Sequence, residues 1–137
     1  MTVDRFDDTL LETAEKSYVR CCDDPNFFNE FYALFLGKNP AIPPLFKDTD
    51  FHRQNQLLKH AIGLLMAYYK HREGALLLRI AGRHGPDDLA IQGDLYPIWV
   101  DCLIEAVKRH DPEFGPEIER AWRTVLAPGV DRVRRGG

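Results

Sequence analysis

Two polar side chains interrupt apolar helix faces in the middle of the chain, and both are of types that do chemistry. Gln54 falls within the apolar stripe of the segment from Asp50 to His71, one turn before Leu58. His84 falls near the centre of the next apolar stripe. That stripe consists of Leu76, Leu77, Ile80 and Ala81. A neutral imidazole can ligate a metal, and an amide can donate hydrogen bonds. Because a buried polar group without a partner costs on the order of 1–3 kcal/mol, each side chain should have a partner.

Each of these two residues also has a simpler interpretation. A single histidine on an apolar face is more often a core residue bonded to a backbone carbonyl, and a glutamine near a helix start is often a cap. The pattern alone therefore leaves both roles open for His84 and Gln54. Gln56 falls on the opposite helix face, so we expect it to be solvated. The remaining histidines are interpreted as surface residues. They are His52, His60, His71 and His110.

Helix signals dominate the elements that must position these side chains, and strand-like alternation is absent. Six helices are predicted. The first runs from about Asp4 to Cys22, and the second begins with an Asp24 cap and Pro25 and ends near Gly37. The third has a Thr49 or Asp50 cap and ends at about His71; the others run from Ala75 to His84, from about Asp94 to His110, and from near Pro116 to a kink or end at Pro128-Gly129. Prolines between Asn39 and Phe46 permit only a short helical turn and a corner. The sequence therefore predicts an all-α fold with six or more helices.

Length and charge bound the kind of protein. The chain has 137 residues, of which 45% are hydrophobic, so it fits one domain with a real core. The formal net charge of −3, with scattered Lys and Arg, argues against a nucleic-acid binder. No apolar stretch approaches the ~20 residues that a membrane span needs. Three cysteines, two of them adjacent, do not suit a disulfide framework, which makes the cytoplasm the simplest location.

Six short stretches then carry a family resemblance through their order and spacing. They are Phe31-Tyr32-Ala33-Leu34-Phe35-Leu36, Asn39-Pro40 with Pro44-Leu45-Phe46, Thr49-Asp50-Phe51-His52-Arg53-Gln54 with Leu58, Ile80-Ala81-Gly82-Arg83-His84, Leu95-Tyr96-Pro97-Ile98 with Cys102-Leu103, and Ala121-Trp122. Together they resemble bacterial single-domain haemoglobins and the globin domain of flavohaemoglobins. The resemblance implies a single globin domain over residues 1–137, with about six to eight helices around one haem pocket.

The resemblance also implies a role for each matching residue. His84 would be the proximal ligand of the haem iron, and Phe46 would pack on the haem face. Tyr32 and Gln54 would form the distal polar pair beside Leu58. Since the chain has no Cys-x-x-Cys-His motif, the cofactor would be non-covalent haem b.

Further residues would line or support the same cofactor. Phe31 and Ile80 would line it, and Tyr96 would support its proximal side. The imidazole of His84 needs a partner for its second nitrogen, which the Tyr96 hydroxyl or the Ile80 carbonyl can supply. The stretch from Gly85 to Asp94 is longer than in the resembling proteins, so both partners stay open.

Three functions remain at this point. The first is a haem protein that binds a diatomic gas (O2, NO or CO) for oxygen binding, transport, scavenging or sensing, without enzymatic activity. The second is a nitric oxide dioxygenase, which would need a separate reductase because the chain has no room for a fused one and no Gly-x-Gly-x-x-Gly fingerprint. The third is a haem-free helical regulatory module, in which His84 is an ordinary core residue.

Overall fold

A computed structural model describes residues 7–48, 50–71 and 95–136 of the chain. Within these ranges there are α-helices, one 3₁₀ helix and no strand. The elements are α1 (Asp8–Cys22), α2 (Phe27–Leu36), the 3₁₀ helix (Pro43–Phe46), α3 (Phe51–His71), α4 (Tyr96–His110) and α5 (Pro116–Gly136). The predicted all-α class is confirmed. The helix predicted from Ala75 to His84 lies outside the described residues.

Aspartate caps begin two of the helices. Asp7 precedes α1, and its carboxylate accepts hydrogen bonds from the backbone N–H groups of Thr9 and Leu10. Asp50 precedes α3, and its carboxylate accepts from the N–H of His52 at 3.0 Å. One of the two predicted caps of α3 is therefore confirmed, since a side-chain acceptor at this position satisfies donors that the first turn leaves open.

The predicted start of α2 is wrong. The helix begins at Phe27 with Asn26 as the N-cap residue, and Pro25 lies before it. Asp24 instead accepts a hydrogen bond from the N–H of Asn26 at 2.9 Å. An aspartate that bonds the backbone two residues ahead forms a local turn, and this turn replaces the expected cap.

A kink or an end was predicted at Pro128-Gly129, and the end is wrong because α5 continues to Gly136. A proline inside a helix costs about 3 kcal/mol. Val125 and Leu126 precede it and are fully buried, and Val130 follows it with 8% exposure. Apolar packing on both sides of Pro128 holds the helix together across it.

Packing between helices builds one core. Helices α1 and α3 both pack extensively on α5, and α2 packs on α4. The buried face of α3 consists of Gln54, Leu58, Ile62, Leu65, Met66 and Tyr69. Gln54 thus lies on the core-facing side as predicted, and Gln56 is exposed. None of the described helices is long and apolar enough to cross a membrane.

A buried polar network joins α1 to the corner between α4 and α5. The Asp111 carboxylate accepts hydrogen bonds from the Ser17 hydroxyl at 2.6 Å and from Arg20 Nε at 2.6 Å. The Trp122 indole N–H donates to the same serine oxygen at 2.8 Å, and the backbone N–H of Glu113 donates to Asp111 at 2.9 Å. Burial alone would raise the pKa of Asp111, but these hydrogen bonds hold it below its ordinary value.

Candidate functional site

The structure brings the predicted distal residues Tyr32 and Gln54 together where α2 meets α3. Both are buried, with 3% and 6% of their surfaces exposed. The Tyr32 hydroxyl donates to the backbone carbonyl of Gln54 over 3.4 Å. A hydroxyl-to-oxygen hydrogen bond is usually about 2.7–2.8 Å long, so this bond to the carbonyl is a weak one.

The electrostatics of this pair keep the phenol protonated. Burial raises the pKa of the Tyr32 hydroxyl above its ordinary value, and a hydrogen bond with the Gln54 side chain opposes this shift only in part. Tyr32 therefore stays a neutral donor at physiological pH. A phenol and an amide that lie side by side can both offer donors to a polar ligand.

Phe46, the predicted cofactor-packing phenylalanine, lies on the same side of the core. It ends the 3₁₀ helix, is 5% exposed, and its ring centroid lies 5.6 Å from that of Tyr32. Phe35 contacts it edge-on at 6.2 Å. The prolines that shape this corner thus place an apolar ring beside the polar pair.

Two further predicted residues complete the apolar surroundings. Phe31 is fully buried and contacts the Tyr32 ring edge-on at 5.0 Å. Leu58 is 4% exposed and lies one turn after Gln54 on α3.

Two aromatic residues of this region were not predicted as site residues. Phe51, the first residue of α3, contacts Tyr32 edge-on at 5.4 Å and stacks on Phe46 at 5.9 Å. Trp99 on α4 contacts Phe31 at 5.7 Å. A signal for Phe51 was present in the sequence, because it precedes Gln54 by three residues and therefore shares its helix face.

Tyr96 lies elsewhere, at the first position of α4. It lines a groove of about 360 Å³ between α4 and α5, together with residues such as Val100, Leu126 and Val130. Burial raises the pKa of its hydroxyl. Tyr96 is therefore not part of the Tyr32–Gln54–Phe46 group. The proposed ligand His84 and the lining residue Ile80 lie outside the described residues.

Three of the four histidines predicted to be on the surface are exposed: His52, His60 and His71. The prediction is wrong for His110, whose side chain is only 8% exposed. Its ring nitrogens lie 2.9 Å from the carboxylate of Asp24 and 2.7 Å from that of Glu30. These contacts tie the end of α4 to the start of α2.

His, Cys, Asp and Glu are the side-chain types most able to ligate a metal ion. In the part of the chain that the structure describes, no group of three or more such residues could hold a metal ion. The Cys21 thiol is buried, and burial raises its pKa to about 12. Burial likewise raises the pKa of Cys102 to about 11. Neither thiol has the lowered pKa of a reactive cysteine.

One solved structure closely matches the whole arrangement. It is the crystal structure of a protein from Pseudomonas aeruginosa PAO1, described as structurally highly homologous to a human haemoglobin, and it matches with a TM-score of 0.86. The two sequences are 32% identical, over 93% of this chain and 97% of that chain. Neither a protein-family model nor a curated protein matches the chain.

Proposed function

The chain belongs to the globin-like family of that Pseudomonas aeruginosa protein, and from this premise we propose that it binds haem b non-covalently and a diatomic gas at the haem iron. The fold is globin-like, and the binding of haem and gas is our inference from that fold. The observation that carries the proposal is the weakly bonded pair of Tyr32 and Gln54, buried beside Phe46.

The described residues fit the distal side of a haem. A haem pocket packs apolar side chains against the porphyrin, and donors near the open iron position decide how the bound gas is held. Phe46 and Leu58 supply apolar surface, and each is at most 5% exposed. The Tyr32 hydroxyl is a buried donor whose acceptor is 3.4 Å away, which leaves it able to form a better hydrogen bond.

Each residue has a separate task in this proposal. The cofactor would supply an iron atom to which O2, NO or CO binds. His84 would ligate that iron through one ring nitrogen, and Phe46 would pack on the porphyrin. Tyr32 and Gln54 would donate hydrogen bonds to the gas. Dioxygen accepts negative charge on binding, so neutral donors stabilise it through charge-assisted hydrogen bonds.

Absorption spectra of the purified chain, oxidised, reduced and with carbon monoxide, test the proposal directly. We expect the spectrum of a haem with imidazole ligation. His84→Ala should then lose haem or bind it weakly, because the iron loses its protein ligand. Added haem should raise the Tm of the wild-type chain, since a ligand that binds only the native state stabilises it.

The matched controls are His60→Ala and His71→Ala, which remove exposed histidines from α3. Both variants should keep the wild-type spectrum. Haem binding unaffected by His84→Ala would contradict the proposed ligand. A chain that takes up no haem at all would be a helical regulatory module instead. Catalytic consumption of nitric oxide with an added reductase would make the chain a dioxygenase.

A further inference from the structure

We propose that Phe51 is a positioning residue, which fixes the direction of the Tyr32 hydroxyl and so sets how strongly the distal side holds dioxygen. This inference rests on the proposed function, because it concerns the same site. It assigns a task to a residue that was not among the predicted site residues.

Three rings from three separate elements contact one another at this point. Tyr32 belongs to α2, Phe46 to the 3₁₀ helix and Phe51 to α3. Their centroids lie 5.4 Å, 5.6 Å and 5.9 Å apart. Phe51 contacts Tyr32 edge-on and is nearly parallel to Phe46, with an angle of 21° between those two planes. Edge-to-face and stacked contacts are the favoured arrangements of aromatic pairs, so the triangle limits the rotation of the Tyr32 ring.

Polar contacts restrain Tyr32 much less. The bond from its hydroxyl to the Gln54 carbonyl is 3.4 Å long, and such a bond is weak. The Gln54 side chain also hydrogen-bonds the hydroxyl, but its amide ends a rotatable side chain and can change direction together with the phenol. The orientation of the phenol therefore depends on the rings around it.

The backbone at Phe51 is well fixed, as a positioning residue requires. Asp50 caps α3 immediately before it and accepts from the N–H of His52 at 3.0 Å. The N–H of Gln54 also donates to the Asp50 carbonyl at 2.9 Å. Phe51 and Gln54 are three residues apart, so they lie on one face of the same rigid turn. One short segment thus holds both the amide and the ring that orients the phenol.

The test is Phe51→Leu, which keeps apolar bulk but removes the ring. We expect oxygen dissociation to become about three- to tenfold faster, the range of an aromatic pair contact. Carbon monoxide dissociation should change less than about twofold, because its outer atom carries little charge. In a Tyr32→Phe background, Phe51→Leu should change oxygen dissociation less than about twofold, since no hydroxyl remains to orient.

Phe28→Leu is the matched control. Phe28 is also half-buried and lies on α2, but among the described residues its ring contact is with Phe27. It should leave the dissociation rates of both gases unchanged. If Phe51→Leu speeds both gases equally, or acts equally with and without the Tyr32 hydroxyl, it merely opens the pocket and the positioning role is wrong.

A second measurement separates this inference from the proposed function. In the full chain labelled with ¹³C-tyrosine, the Tyr32 signal is identified by its loss in Tyr32→Phe. We expect one sharp ring environment in the wild type, and a broadened or doubled signal in Phe51→Leu but not in Phe28→Leu. A chain that binds no haem overturns the proposed function, whereas an unchanged Tyr32 signal overturns the task of Phe51.

Discussion

Two buried polar groups in this molecule differ in how completely they are hydrogen-bonded. Directly after α4, the Asp111 carboxylate accepts from Ser17, Arg20 and the Glu113 backbone at 2.6–2.9 Å. At the start of α3, the Tyr32 hydroxyl donates to the Gln54 carbonyl over 3.4 Å, its one acceptor among the described residues. Both residues are buried, since Asp111 and Tyr32 are each 3% exposed.

The difference indicates different tasks. A fully bonded buried network rigidifies the fold and has no donor left for a ligand. A weakly bonded buried donor is costly unless something else satisfies it. We therefore interpret Asp111 as structural, and Tyr32 as a residue that a ligand completes. The predictions below test this contrast through stability at one region and through ligand kinetics at the other.

The largest effect should come from Asp111→Ala. Removing the carboxylate leaves Ser17, Arg20 and the Glu113 N–H without their acceptor. Breaking a buried ion pair on one side costs about 3–5 kcal/mol, and we expect a loss near the lower figure because the Arg20 side chain is 23% exposed. Urea unfolding at neutral pH measures the loss. Gas dissociation from the intact protein should not change.

The pH dependence of the stability loss in Asp111→Ala shows whether the charge of the carboxylate causes it. The pKa of Asp111 is lowered in the folded chain, so its contribution is complete above the unfolded value of about 4 and is lost as the pH falls through the folded value. The gap in unfolding free energy between wild type and Asp111→Ala should therefore narrow only in acid. Glu113→Gln, at a side chain that is 69% exposed, should change stability by less than about 0.5 kcal/mol. If the difference in unfolding free energy between wild type and Asp111→Ala stayed the same in acid, the negative charge of Asp111 would not be its cause.

The next effect concerns the weakly bonded pair. A hydrogen bond to a charged acceptor contributes roughly 1.5–3 kcal/mol, so Tyr32→Phe should speed oxygen dissociation about ten- to a hundredfold. Gln54→Leu should speed it by a similar or smaller factor. Stopped-flow measurement on both variants gives these rates. Stability should change far less than in Asp111→Ala, because little bonding is lost with the hydroxyl.

Carbon monoxide is the control ligand for these two variants. Its dissociation should change far less than that of dioxygen, because it carries little charge on its outer atom. Equal changes for both gases, or none for either, would remove Tyr32 and Gln54 from the binding site. Gln56 and His60 would then be the next candidates, although both are exposed on α3.

The sequence predicted more of the region around Tyr32 and Gln54 than of the network around Asp111. Helix periodicity alone put Gln54 on the core-facing side of α3, and the prolines before Phe46 predicted the corner. These are local signals, readable over one or two turns. Phe51 was missed although it shares that periodicity, because an aromatic residue after a cap is typical of ordinary core.

The fully bonded region could not be predicted, because its partners are distant in sequence. Ser17 and Asp111 are 94 positions apart, and Arg20 and Asp111 are 91 apart. Each looks like an ordinary solvated polar residue until the helices pack. The wrong helix cap predicted at Asp24 has a local cause. An aspartate carboxylate accepts from the backbone in the same way in a turn and in a helix cap, so the sequence does not distinguish the two.

The smallest effect should come from Tyr96→Phe, because Tyr96 belongs neither to the Asp111 network nor to the Tyr32–Gln54 region. Tyr96 begins α4, and its half-buried ring lines the groove between α4 and α5. If its hydroxyl bonds the second nitrogen of His84, its removal should leave haem bound but shift the ferrous spectrum or the redox potential modestly, because such bonds tune a ligand's basicity. Tyr18→Phe is the matched control, since that half-buried hydroxyl bonds the Lys59 carbonyl at 3.2 Å and should not affect the spectrum. No shift in Tyr96→Phe would favour the Ile80 carbonyl as the partner of His84, and equal shifts in both variants would indicate a general loosening of the fold.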